Sequence, residues 1–295
     1  MSGGAAPDQP PHRRHQLRQI VSGMGSIALG GLLVVWSLTP LYNMLLIALD
    51  PEEGEIEFAG NILPPEPSLE GFRQAITQQA RYLENYWYQV GNSLHIGLLT
   101  MFLTVLIASL ASFAVGRMRL SKPSMLTNAA ILTYAIPAPF LIVPYYRIMH
   151  HYGLLDSPLA VIAAQVAFAT PFVILILLQY AKLIPLELDE AARVDGASPV
   201  QVYLRIYLPL MTPALAIAAV YSLLLSWNDY VYQFALLSPR NMTASVMQAQ
   251  LFTDADAQWN AMMAAAIIYV LPPFALFLAL FRHMAAGLTL RGARG

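Results

Sequence analysis

Six stretches of this chain run for more than 20 residues without Asp, Glu, Lys or Arg: 19–49, 85–116, 123–146, 157–181, 206–228 and 257–281. A helix that crosses a bilayer needs about 20 mainly apolar residues. Backbone polar groups in hydrocarbon must be satisfied within the segment or within a closed barrel. Each stretch is long enough for one helix, and none is long enough for two with a loop between them. The expected fold class is therefore an all-α membrane protein with six transmembrane helices and both termini on the same side. Composition agrees: 57% of the residues are hydrophobic and 11% charged, against about 25% charged in a soluble domain. A net charge of -1 gives no reason to expect a nucleic-acid partner, and the absence of Cys excludes disulfides and thiol chemistry.

The basic residues set an orientation. Twelve of the sixteen Lys and Arg fall at the N-terminus (Arg13, Arg14, Arg18), after the second stretch (Arg117, Arg119, Lys122), after the fourth (Lys182, Arg193, Arg205) and after the sixth (Arg282, Arg291, Arg294). Excess Lys and Arg mark cytoplasmic loops, so both termini are expected in the cytoplasm. The opposite side carries an acidic segment with Asp50, Glu52, Glu53, Glu55 and Glu57. It matches no calcium-loop spacing and reads as a solvated external loop. Ser68 within it is placed to cap a short amphipathic helix, SLEGFRQAITQQ.

The longest charged stretch between two apolar ones is ELDEAARVDGASPVQVYLRIYLPLMTP, residues 187–213. It reads as two short helices around a corner. The first runs from about Pro185 to Asp195, where Gly196 supplies the left-handed conformation that ends a helix. Ser198 and Pro199 then suit the N-cap and first position of a second helix. On the first helix, Asp189 and Glu190 are spaced to pair with Arg193.

Glu190, Ala191, Ala192, Asp195, Gly196, Ile206, Leu208 and Pro209 lie in a pattern that resembles the EAA loop of permease subunits in ATP-binding-cassette importers. The spacing EAA, three residues, G, nine residues, I, one residue, LP is met throughout. Further matches to carbohydrate permeases are Asn92-Ser93-Leu94, Ala135-Ile136-Pro137, Ile142 to Tyr146, Gly153 to Asp156, Pro171-Phe172 and Trp227-Asn228-Asp229-Tyr230. The ending GLTLRGARG resembles that of a sugar-importer subfamily and departs from it at Arg291 and Arg294. The resemblance covers about residues 88–295 and is nearest to the smaller permease of maltose-type transporters.

That resemblance implies a cytoplasmic helix-turn-helix between helices 4 and 5 (loop 183–208) that seats in a groove of a separate ATPase. It implies no cofactor in this chain, ATP and Mg being bound by the partner ATPase. The implied partners are a second permease subunit, two ATP-binding subunits, an extracytoplasmic solute-binding protein, a sugar-like solute and membrane lipid. The expected layout is a disordered cytoplasmic tail (1–18), a first transmembrane helix with the acidic loop (19–86), the importer transmembrane domain (87–286) and a cytoplasmic tail (287–295).

Asp229 directly follows the fifth apolar stretch and is the one acidic residue expected within a span. A carboxylate at membrane depth is costly unless it faces protein or water, so cavity lining and structural capping both stand as readings. Trp227, Asn228, Tyr230 and Tyr146 suit a sugar pathway by their aromatic faces and amide, and suit helix packing equally. Prolines within the spans, including Pro272-Pro273 in the sixth, are expected to kink or break them. The chain has no GxxxxGK[ST], HExxH or GxSxG motif, so ATP hydrolysis and the common hydrolase chemistries are not expected of it. A six-span secondary transporter is the alternative. It calls for coupling charges and internal repeats, for which Asp229 alone is a candidate.

Overall fold

The computed structural model describes residues 11–51, 64, 66–118, 123–134, 136–252 and 258–292. Every regular element among them is a helix. In chain order they are α1 (Pro11–Ala48), α2 (Glu70–Thr77), α3 (Tyr86–Arg117), α4 (Pro123–Tyr134), α5 (Ile142–His151), α6 (Pro158–Ala181), α7 (Glu187–Val194), α8 (Pro199–Val202), α9 (Leu208–Trp227), α10 (Val231–Leu236), α11 (Ala244–Leu251) and α12 (Trp259–Gly292). The expected acidic cluster Glu52 to Glu57, the turn residues Arg119 and Lys122, and residues 1–10 and 293–295 lie outside the described residues.

Among the described residues, five helical stretches are long and apolar enough to cross a membrane: Gly23–Ala48, Arg81–Arg117, Pro158–Ala181, Pro199–Trp227 and Trp259–Met284. The 24 residues of α6 rise about 36 Å, against a hydrocarbon core of about 30 Å. The third apolar stretch, expected as one proline-marked span, is not a single helix. It is divided into α4, a 3₁₀ turn (Ala138–Leu141) and α5. Pro137 is the cause. It lacks an N–H and disfavours helical backbone at the residue before it, and it sits in extended conformation at φ -62° and ψ 122°. Tyr232 from α10 donates its hydroxyl to the Ala138 carbonyl at 2.6 Å, next to the break.

Three other boundaries also differ. Residues 11–18, expected as a disordered tail, already belong to α1, and the expected tail from 287 is helical through Gly292. Pro272 and Pro273 do not break the sixth span, since α12 runs through both. A proline removes one helical hydrogen bond and leaves the turns on either side intact.

The core is built on α3, which packs along α6 and α9. Small residues recur along α3: Ala108 and Ser112 are buried, Ala111 and Ala114 are half-buried, and Gly116 is exposed. At Gly97 of α3, a Cβ would meet the Leu223 side chain of α9 at 3.1 Å. Small residues let helices approach where lipid supplies no hydrophobic drive between them. At the end away from the basic loops, α2 is wedged between the end of α1 and the start of α12. Ser68 helps start it, its hydroxyl accepting the Glu70 N–H at 3.1 Å. Gly71 makes the close approach, for a Cβ there would lie 2.8 Å from the Asn260 carbonyl oxygen and 3.0 Å from that of Ala48.

Gly71→Val is therefore expected to force the three segments apart, at about 1–3 kcal/mol for overpacking. A lowered unfolding temperature in detergent checks it. Gly91→Val is the control, because its Cβ would meet nothing within 4 Å.

Candidate functional site

The sequence 187–213 folds locally as its residue types require. Leu186 takes the N-cap position of α7, whose first turn holds Glu187, Asp189 and Glu190, and negative charge favours a helix N-terminus. Gly196 ends the helix at φ +83°. Beside it the Ala197 N–H donates to the Ala192 carbonyl at 2.9 Å. Ser198 and Gln201 then form a reciprocal cap: Gln201 Oε1 accepts the Ser198 N–H at 2.8 Å, and Ser198 Oγ accepts the Gln201 N–H at 3.3 Å. Pro199 occupies the first turn of α8. A π-helical turn, Tyr203–Tyr207, carries α8 into α9 without a break.

The hairpin has two faces. Glu190, Ala191, Asp195, Gly196 and Pro209 are exposed, and Ala192, Ile206 and Leu208 are half-buried. Val194 and Val200 stand 87% and 64% exposed at its corner. The inner face holds Val202, Tyr203 and Tyr207 against α3. The Tyr203 hydroxyl meets Ser109 Oγ at 2.8 Å and that of Tyr207 meets Ser112 Oγ at 3.0 Å. Phe113 sits edge-on to both rings.

Asp189 corrects the expected helix-surface pairing. It is 4% exposed, and its Oδ2 lies 3.5 Å from Nη1 of Arg117 at the end of α3. Arg193 turns to the same place and donates to the Arg117 carbonyl at 3.2 Å. Arg117 reads in the sequence as one charge of a solvated basic turn. It is instead 5% exposed and donates through Nη2 to the carbonyls of Ala181 and Ile184 at 2.8 and 3.0 Å.

The opposite end carries a polar network that the sequence does not announce. Gln165 Oε1 accepts from Thr100 at 3.0 Å and from Ser226 at 2.6 Å, and its Nε2 donates to Asp229 Oδ2 at 2.9 Å. Asp229 Oδ1 accepts the Tyr232 N–H at 3.4 Å. Gln233 donates to the Ser226 carbonyl at 2.7 Å and accepts from Thr243 and Ser245. These contacts join α3, α6, α9, α10 and α11, and Asp229 caps the start of α10. Gln165 and Gln233 are neutral amides, so no charge anomaly marks them in the sequence.

Trp227 is 3% exposed and stacked on Tyr269 of α12 at 4.7 Å. Asn228 is exposed, and Tyr230 is stacked on Phe234 at 5.2 Å. Tyr146 is 42% exposed on α5. A cleft of about 310 Å³ opens where the third stretch breaks, and other residues build its wall: Thr133, Ile136, Pro137, Ala138, Phe168, Pro171, Tyr221 and Leu225. At the turn before α6, Asp156 ties the loops together. It accepts the Ser238 N–H at 2.8 Å, a bond that holds its carboxylate below the ordinary range.

Long apolar helices around a broken apolar stretch, with a capped two-helix hairpin at one end, give the architecture of a multi-pass membrane protein. The chain belongs to the family described as binding-protein-dependent transport system inner membrane component, which matches residues 98–289. It is thus an inner-membrane transport component. The inner membrane ABC transporter permease protein YcjP of Escherichia coli (strain K12) is 29% identical over 266 residues, covering 90% of this chain and 94% of that protein. The arabinooligosaccharides transport system permease protein AraQ of Halalkalibacterium halodurans is 29% identical, covering 87% of this chain and 91% of that protein. The trehalose transport system permease protein SugB of Mycobacterium tuberculosis is 26% identical, covering 90% and 95%. A chain of a bacterial ABC transporter involved in the import of the acidic polysaccharide alginate shares the fold, with a TM-score of 0.71 over 94% of this chain and 99% of that one, at 17% identity.

Gln165→Leu is expected to orphan Thr100, Ser226 and Asp229 and to destabilise the protein by about 3 kcal/mol. Combined with Asp229→Leu, it is expected to fall short of additivity by at least about 0.5 kcal/mol. Unfolding of the single and double variants in detergent measures both.

Proposed function

We propose that this chain is one of two permease subunits of an ATP-driven importer for a sugar or related solute, and that the α7–α8 hairpin couples it to a separate ATPase. The observation that carries this reading is the hairpin itself. Its corner is fixed by Gly196 and the Ser198–Gln201 cap, its inner face is packed on α3, and Val194 and Val200 stand exposed at the corner. The sugar class rests on relatives described as arabinooligosaccharides and trehalose transport system permeases.

In this reading α4 and α5 together make a sixth, broken crossing, and both termini lie in the cytoplasm beside the basic loops. ATP and Mg belong to the two ATPase copies, and an extracytoplasmic solute-binding protein delivers the solute. ATP draws the ATPases together, and the hairpins of the two permeases turn that motion into rocking of the spans. Such alternation requires an ATPase assembly that binds the two permease states with different affinity. The transmembrane domain is 87–286. The cleft beside Pro137 and Pro171 is a better place for solute than Trp227, whose ring is committed to Tyr269.

Purification of the tagged chain from its host membranes is expected to bring along an ATPase, a second permease and a solute-binding protein. A homomer without ATPase overturns the reading. Glu190→Ala is expected to abolish uptake while the chain still inserts, because losing one partner of an interfacial charge pair costs about 2–5 kcal/mol. Normal uptake in that strain counts against the coupling role.

A further inference from the structure

We infer that Arg117 is a positioning residue that binds the α7–α8 hairpin to the ends of α3 and α6, so that a push on the hairpin reaches both helices together. The inference rests on the coupling role proposed above and names a residue outside the EAA pattern. The chain between α6 and α7 is the short segment 182–186, held by turn hydrogen bonds such as Leu183 N–H to the Tyr180 carbonyl at 2.9 Å. The last turn of α6 is closed by the backbone, with the Ile184 N–H donating to the Ala181 carbonyl at 3.2 Å, and its carbonyls form the negative end of the helix. The guanidinium of Arg117 is placed against that end. It donates to Ala181 and Ile184, and its Nη1 lies 3.5 Å from both the Pro185 carbonyl and Asp189 Oδ2. Its Cζ is 5.9 Å from the centre of the Tyr207 ring.

The tie is closed from the other side. Arg193 of α7 donates to the backbone carbonyl of Arg117, so side chain and main chain of one residue are both held. A planar fork of five donors can serve several carbonyls and a carboxylate at once, whereas an ammonium cannot copy that geometry. The Asp189 and Arg117 side chains are 5% and 2% exposed, so each is the other's charge compensation in a site with little water. Neither faces the surface left open for an ATPase. Their contribution is to fix where Glu190 and Val194 stand relative to the spans.

The test uses the whole complex in nanodiscs, with MgATP and the solute-binding protein purified with it as the probes. The reading is the ratio of ATP hydrolysis with and without that protein, a signal that must cross from the outer end of the spans to the ATPase. In Arg117→Gln and Asp189→Asn this ratio is expected to fall about tenfold toward unity, within the range seen for residues that couple distant sites. Arg117→Lys keeps the charge and one carbonyl contact and is expected to lose less than about threefold. A purely structural role would lower the yield of complex and leave the ratio at the parental value, and that result overturns the inference. If Arg117→Gln fails to accumulate, Asp189→Asn decides by the same criterion. An unsubstituted complex that lacks ATPase, or shows no stimulation, overturns the importer reading and this inference with it.

Discussion

A backbone amide in hydrocarbon has no water to turn to, so each interruption of a helix needs a partner from the protein itself. The fold can be followed through the places where this requirement is met. Tyr232 supplies the hydroxyl beside the break at Pro137, through the Ala138 carbonyl. The end of α9 frees carbonyls that are taken by the Gln233 amide at Ser226 and the Tyr269 hydroxyl at Trp227. The end of α6 is taken by Arg117. Each of these donors comes from a different helix than the group it satisfies. Satisfying the backbone and fastening the bundle are thus the same set of contacts.

The two ends of the bundle meet the requirement with different chemistry. Around Gln165 the donors and acceptors are mainly neutral amides and hydroxyls, with Asp229 at the margin. Around Arg117 a full charge is buried against a carboxylate and a helix terminus. Buried charges are costly when either partner is removed, so the ionic end is the less tolerant of partial change. The hydroxyl pairs Ser109–Tyr203 and Ser112–Tyr207 continue that tie along the π turn into α9. The hairpin is consequently attached to the spans on both of its flanks.

Local features of this arrangement were legible in the sequence. Gly196 and Ser198-Pro199 act on their immediate neighbours, so the corner of the hairpin could be placed from residue types alone. The apolar stretches likewise predicted the long helices, since length and hydrophobicity are local properties. Asp189 was not legible. Helical spacing pointed to Arg193, while the side chain is buried toward Arg117 on another helix, and no local rule carries that information. Pro137 signalled a disturbance but not its extent, and Pro272 and Pro273 signalled one that α12 absorbs. Gln165 left no trace, because a glutamine within an apolar stretch looks the same whether it faces lipid or binds three partners.

The first helix stands apart from this web. Little of it is buried between Gly23 and Ala48, and its contact with the body is at the end away from the basic loops, through Met44, Ile47 and Ala48. Residues such as Trp36, at 79% exposed, face outward along most of its length. For such a surface, selection can read little beyond oiliness and span, so one apolar side chain serves as well as another. Most single exchanges of one apolar side chain for another along it leave the packing of the inner helices untouched.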